Sequence, residues 1–378
     1  MIDKWTMVYL AAAAGAFAVT AVLTPLFRAI ALRTGFMDRP AANHKGHARA
    51  TALLGGLAMF TGWILCIASG IVVVRMQWLP AYFAETLPFH LEGFREVAAG
   101  KLSFIVAGAF LAVLLGLIDD KWALSAKWKF AGQFAVACIA VFLGGVEVNI
   151  FVSSRIVTAA ASIFWIMLMM NSINFFDNMD GLAAGTIAIA MGFFTVIAAF
   201  NGEYFSAIFS AVNFGICCGF WIYNANPASI FMGDSGSHFL GYIAAVAAAG
   251  ETFFDKGYSL SRFPVLIPLM ILALPLFDTA MVVIIRTLNG KPFWIGDHNH
   301  ISHRFVRMGL SRKSAVMLVH LTALNIALGT LPVFWGDFRT AAIIVLQAML
   351  LIAVITILQI SLESRKDACE NHSENHQP

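Results

Sequence analysis

The chain has 378 residues, of which 60% are hydrophobic and only 12% charged; its formal net charge is +3 and its mean hydropathy +0.81. Soluble chains run about 45–50% apolar and about 25% charged, so an ordinary soluble enzyme, a disordered protein and a collagen-like rod are excluded. The basic residues are scattered rather than gathered into a stripe, which argues against a nucleic-acid partner.

The apolar runs are long and continuous, not short and alternating, so the fold class is all-α, a polytopic integral membrane protein. The first run, 7–32, is too long for the h-region of a cleaved signal peptide, which spans about 7–15 residues. Others follow at 52–74, 102–118, 128–146, 158–176, 182–200, 204–222, 237–254, 264–285, 314–333 and 340–361. That makes about eleven segments near the roughly 20 residues needed to cross hydrocarbon. Residues 75–101 form a longer polar-aromatic loop. A single transmembrane domain, 1–361, is followed by a polar tail, 362–378, expected to be disordered. Cys66, Cys138, Cys217 and Cys218 lie in apolar runs and read as small buried hydrophobes. Of the 24 Lys and Arg, sixteen fall in loops after odd-numbered runs or in the tail. The positive-inside bias puts that side in the cytoplasm, with the N-terminus outside and the C-terminus inside.

Five polar clusters all follow odd-numbered runs. They are Lys45-Gly-His47; Asp119-Asp120 with Lys127 and Lys129; Asn171 to Gly181; Asn224 to Asp234; and Asp297 to Arg304. Acids and amides suit a hard cation such as Mg²⁺, which takes oxygen ligands and leaves positions for water and phosphates. Lys and Arg balance phosphate oxygens. Asn171, Asn174, Asp177 and Asp180 recur at i, i+3, so a continuing helix would line one edge with oxygen ligands. Asp234 sits in a Gly-Asp-Ser-Gly turn, where backbone can approach a ligand closely. A carboxylate pair at the membrane face can deprotonate an acceptor. Together these groups imply phosphoryl transfer at the cytoplasmic interface with one lipid-soluble reactant. Taken alone, Asp119-Asp120 also reads as a solvated acidic turn, the His-rich loop as a surface loop or a zinc site, and Asp278 as an acid pairing with a base or donor in the bundle.

Four segments, GLIDDKWALSAKWKFAGQ, NSINFFDNMDGLAAG, NPASIFMGDSGSHFLG and DHNHISHRFVRMGLS, carry a resemblance to the polyprenyl-phosphate N-acetylhexosamine-1-phosphate transferases. It spans about residues 35–310. The resemblance implies a membrane catalytic domain in the bacterial inner membrane with its site on the cytoplasmic face. Asp119 and Asp120 match the acidic pair acting on or near the lipid phosphate, and Lys129 a phosphate-contacting lysine. Asn174 and Asp234 match Mg²⁺-holding positions, where Mn²⁺ can substitute. Asp177 and Asp180 match acids in the nucleotide-sugar pocket, Asn171 is a further substrate-binding position, and Asn224 and Phe231 lie where uracil is expected. His300, His303 and Arg304 match a loop binding the sugar diphosphate, and Lys45 and His47 a basic motif of the first cytoplasmic loop. Partners implied are a UDP-sugar donor, a polyprenyl phosphate acceptor, membrane lipids and, by analogy, a second copy of the chain. Many members carry a third acid where this chain has Ala123. The loop reads DHNHISHR rather than three consecutive histidines, which favours the branch using UDP-N-acetylglucosamine and undecaprenyl phosphate over the muramoyl-pentapeptide branch. An ion-coupled transporter and an inactive scaffold are the readings from other classes.

Overall fold

The computed structural model describes residues 4–38, 50–76, 100–148, 154–250, 263–292 and 299–374. Its contacts divide the chain into two compact units, Met1–Thr252 and Phe253–Pro378, where the sequence reads as one domain.

The first unit is built from α1 (Lys4–Thr34), a short β1–β2 ribbon (Met37–Asp38 with Thr51–Ala52), α2 (Gly55–Met76) and α3 (Lys101–Trp122). It continues with α4 (Ala126–Cys138, extended by a π-helical turn at Ile139–Leu143), α5 (Arg155–Phe176), α6 (Leu182–Phe200), α7 (Tyr204–Asn224) and α8 (Gly233–Gly250). α1 packs on α7, and α7 on α6; α8 packs against α2, α3 and α5. Fourteen of the 18 residues of α8 are buried, so it forms the centre of this unit. Its first turn lies so close to α3 that a methyl group at Gly116 would overlap the Asp234 carbonyl and the Ser235 amide. The ribbon reaches the same place: Ala52 bridges Ile230, and Phe231 N–H donates to the Ala52 carbonyl, fixing the chain just before α8.

The second unit holds α9 (Ile267–Ile271), α10 (Ala273–Leu288), α11 (Ile301–Arg307), α12 (Arg312–Trp335) and α13 (Phe338–Glu374). α12 packs on α9, α10, α11 and α13. α13 presents Ile343, Leu346, Met349 and Ile357 outward, each more than half exposed, as suits a surface facing lipid.

Among the described residues, nine helices are long and apolar enough to cross a membrane. Of the two further runs expected to do so, 237–254 overlaps α8, which opens with the polar turn Gly-Asp-Ser-Gly-Ser, and its last four positions lie outside the described residues. The second, 264–285, is broken at Leu272, between α9 and α10, where two prolines lie nearby at 268 and 275. α13 continues into the tail as far as Glu374, through a stretch with neither Gly nor Pro to stop it.

Candidate active site

The ends of α3, α4, α5 and α8 in the first unit converge on one ammonium group. Lys129, near the start of α4, places Nζ 2.7 Å from Asp119 Oδ2 and 2.8 Å from Asp234 Oδ2, and it donates to Asn174 Oδ1 at 3.2 Å. Asn174 Nδ2 donates to Asp234 Oδ1 (2.7 Å) and to Ser237 Oγ (2.9 Å). Four residues from segments up to 115 positions apart therefore form one bonded set.

Local chain geometry sets each side chain. α3 ends in Ala123, which takes a left-handed conformation (φ 48°) and lets Leu124 N–H donate to Asp119 Oδ1 at 2.7 Å. Asp119 thus closes its own helix end while facing Lys129. Asp120 points elsewhere. Its Oδ1 accepts from Asp234 N–H (2.7 Å) and its Oδ2 from Ser235 N–H (3.1 Å). It caps the N-terminus of α8, where unmet backbone donors favour a carboxylate. Gly233, at φ +69°, turns the chain into that cap, and a side chain there would strike the Asp120 carboxylate.

The oxygen ladder expected along a continuing helix is interrupted. α5 stops at Phe176, so Asn171 and Asn174 are helical while Asp177 and Asp180 lie in the turn before Gly181 (φ +77°). Burial pushes the Asp177 carboxyl up to about 8, and the charges of Asp234, Asp180 and Asp120 push the same way. Asp180 Oδ2 accepts from Asn226 Nδ2 (2.9 Å) and Ala228 N–H (3.0 Å), bracing the loop before α8. Asn224 is buried, accepts from Gly181 N–H (3.1 Å) and donates to the Ile230 carbonyl (3.0 Å), so it ties two loops together. Phe231 is half-buried on the same loop. Asn171 spends its amide on Gln133 and on the Met167 carbonyl.

In the second unit, Asp278 is fully buried and receives His300 Nδ1 (2.7 Å) on one oxygen and Ile301 N–H (2.7 Å) on the other. The expectation that Asp278 pairs with a base or donor is met. His300 stands just before α11 without a side-chain cap bond, and the buried Arg304 donates from Nε to the Asn299 carbonyl at 3.0 Å. His303 lies on the same helix, its ring 6.2 Å from that of His300. Lys45 and His47 lie outside the described residues.

Sequence reading missed Gln133 and His238. Gln133 Nε2 contacts Asn171 Oδ1 (3.2 Å) and His238 Nε2 (3.0 Å), and His238 Nδ1 contacts the Asp234 carbonyl (2.6 Å). The available signal was spacing: each lies four positions after a polar residue already singled out, Lys129 and Asp234.

Known proteins resemble this chain in sequence. Residues 102–250, from α3 to α8, match the family described as "Glycosyl transferase family 4". Over 309 residues the chain is 34% identical to the "Probable undecaprenyl-phosphate N-acetylglucosaminyl 1-phosphate transferase" of Bacillus subtilis, covering 79% of this chain and 78% of that one. Over 368 residues it is 31% identical to the "Decaprenyl-phosphate N-acetylglucosaminephosphotransferase" of Mycolicibacterium smegmatis, covering 90% and 86%. A "Phospho-N-acetylmuramoyl-pentapeptide-transferase" of Anoxybacillus flavithermus aligns over a shorter stretch, 243 residues at 32% identity, covering 60% and 70%. Extent and identity of these matches, together with the multi-pass helical fold, establish that the chain belongs to the polyprenyl-phosphate N-acetylhexosamine-1-phosphate transferase family.

Proposed function

We propose that the protein transfers N-acetylglucosamine-1-phosphate from UDP-N-acetylglucosamine to undecaprenyl phosphate at the cytoplasmic face of the bacterial inner membrane. UMP and a lipid-linked sugar diphosphate are the products. The observation that carries this reading is the Lys129 ammonium held jointly by Asp119, Asn174 and Asp234 at the ends of apolar helices. Such a group at a span end is placed to meet a phosphate whose tail lies in lipid. The Bacillus subtilis and Mycolicibacterium smegmatis relatives, aligned over 79% and 90% of the chain, are N-acetylglucosamine phosphotransferases by name, and the muramoyl-pentapeptide relative aligns over less.

Charge argues for a divalent cation. Two carboxylates, Asp119 and Asp234, flank the Lys129 ammonium, so an anionic diphosphate meets net negative charge unless a cation accompanies it. Among the described residues no group of three or more His, Cys, Asp or Glu forms a ready-made metal cage. That suits Mg²⁺, which needs one or two protein oxygens and takes the rest from phosphates and water. Asp234 and Asn174 Oδ1 would hold it, with Mn²⁺ as a substitute. Bound there, the ion would neutralise charge on the diphosphate as the phosphorus–oxygen bond breaks.

The chain's own groups divide the remaining chemistry. Lys129 pairs with a phosphate oxygen and keeps Asp119 beside it. Asp119 accepts a proton from the acceptor monoester, whose second pKa is about 6. Asp120 holds α8, and so Asp234, in place. The acceptor oxygen attacks the phosphorus bearing the sugar, the bond to UMP breaks, and UMP leaves in one displacement. Purified protein given undecaprenyl phosphate and Mg²⁺ is expected to release UMP from UDP-N-acetylglucosamine, and to stop when EDTA is added. Release only from the muramoyl-pentapeptide donor would move the protein to the other branch. Release from neither would overturn the reading. A phosphorylated enzyme trapped with donor alone would rule out the single displacement.

A further inference from the structure

Three helices each contribute two polar residues one turn apart: Lys129 and Gln133 on α4, Asp234 and His238 on α8, and Asn174 and Asn171 on α5. Residues three and four apart share a helix face. The residues nearer the helix ends, Lys129, Asp234 and Asn174, bond to one another. One turn deeper, about 5.4 Å, Gln133 bonds to both Asn171 and His238. The polar interior therefore has two tiers, and only the upper one is assigned to the reaction.

The lower tier is closed. Asn171 Nδ2 gives its two hydrogens to Gln133 Oε1 (2.7 Å) and the Met167 carbonyl (2.8 Å). Gln133 Nε2 gives its two to Asn171 Oδ1 (3.2 Å) and His238 Nε2 (3.0 Å). An amide nitrogen only donates, so His238 Nε2 accepts and the imidazole proton sits on Nδ1. From there it is donated to the Asp234 carbonyl, 2.6 Å away. Gln133 and His238 are both fully buried, where every unpaired polar atom is costly. One end of this chain of bonds is anchored on the α5 backbone, and its other end is the backbone of Asp234.

We propose that His238, fixed in its Nδ1–H tautomer by Gln133, is a positioning residue for Asp234. Asp120 holds the Asp234 N–H and His238 holds its carbonyl, so the Asp234 carboxylate is aimed at Lys129 and Asn174 by a backbone pinned at both ends. The assignment rests on the reading of Asp234 as a cation and phosphate group.

Two amide substitutions of similar polarity separate positioning from packing. The Asn amide nitrogen falls where Nδ1 lies, and the Gln amide nitrogen near Nε2. His238→Asn is expected to stay within about threefold of wild-type kcat. His238→Gln is expected to lose at least tenfold in kcat, with the KM for donor within about threefold. Nitrogen NMR of ¹⁵N-histidine-labelled protein is expected to show a neutral Nδ1–H imidazole that disappears in His238→Asn and shifts in Gln133→Met. Equal kcat losses in the two amide variants, or an Nε2–H tautomer for His238, would overturn the assignment. Should His238→Gln fail to fold, Gln133→Met decides: a drop of at least threefold in kcat with the NMR shift supports positioning, and wild-type values for both refute it. If wild-type protein releases no UMP, the functional reading fails while the tautomer result stands separately.

Discussion

α8 and α13 sit at opposite extremes of burial within the same chain. α13 is the most apolar of the membrane-length helices and almost none of its apolar stretch is buried. α8 opens with five small or polar residues and is buried along nearly its whole length. In water the more apolar helix would be the inner one. In lipid that driving force vanishes, because acyl chains are as apolar as leucine, and close contact with polar bonding decides what goes inside. The comparison teaches where to look in such a chain: the working helix is the one that hydropathy ranks low.

The largest effect is expected at Asp234. Asp234→Asn keeps the shape of the side chain but removes its charge beside Lys129. Turnover is expected to fall by roughly 10²–10³, the scale of losing one preorganised electrostatic group. UMP release by protein that still elutes as a folded species in detergent measures it. Gly116→Val attacks the packing of the same turn. Its side chain would meet the Asp234 and Ser235 backbone, so overpacking of about 1–3 kcal/mol is expected, with loss of activity alongside. A lowered thermal midpoint together with lost turnover checks both parts.

How much of this was legible in the sequence follows from the same contrast. Long apolar runs announce membrane helices whatever their neighbours, so α1 to α7, α12 and α13 could be placed from hydropathy alone. The break at Leu272 is hidden from hydropathy, which reads 264–285 as one run, and is marked only by Pro268 and Pro275. Lys129, Asn174 and Asp234 were readable as chemistry because ionisable and amide groups at span ends are costly without partners. The division of labour was not. Asp119 and Asp120 are adjacent and identical, yet one faces Lys129 and the other caps α8, a difference set by a helix more than a hundred residues away. Asn171, Asp180 and Asn224 read as ligands, and their side chains also hold loops and helices together. Gln133 and His238 escaped notice because each is a single polar residue inside an apolar run, marked only by its spacing of four from Lys129 or Asp234.

A milder perturbation uses pH. Asp177 stands at about 8 against an ordinary 3.8, so the folded protein binds a proton there that the unfolded chain has already released. Without a cation, the stability contributed by this group is present below about pH 4 and is lost progressively as pH rises through about 8. A divalent cation reverses the preference by favouring the carboxylate. The thermal midpoint in EDTA is expected to fall between pH 6 and 8, and cation affinity to rise over the same range. Asp177→Asn is expected to flatten both profiles, and unchanged slopes would remove Asp177 as their source.

The smallest effects belong to the lipid-facing side of the comparison. Leu346 on α13 is 56% exposed. Leu346→Ala removes three carbons from a surface that lipid covers in the folded state and would cover equally if the helices came apart in the bilayer. The change in stability is expected to stay within about 0.5 kcal/mol, with turnover unchanged. The same truncation in the core of a water-soluble protein costs about 2–5 kcal/mol. A thermal midpoint that drops as far for Leu346→Ala as for Gly116→Val would mean that α13 is covered by protein in the assembled state, and the contrast between the most and least buried helices would have to be redrawn around that cover.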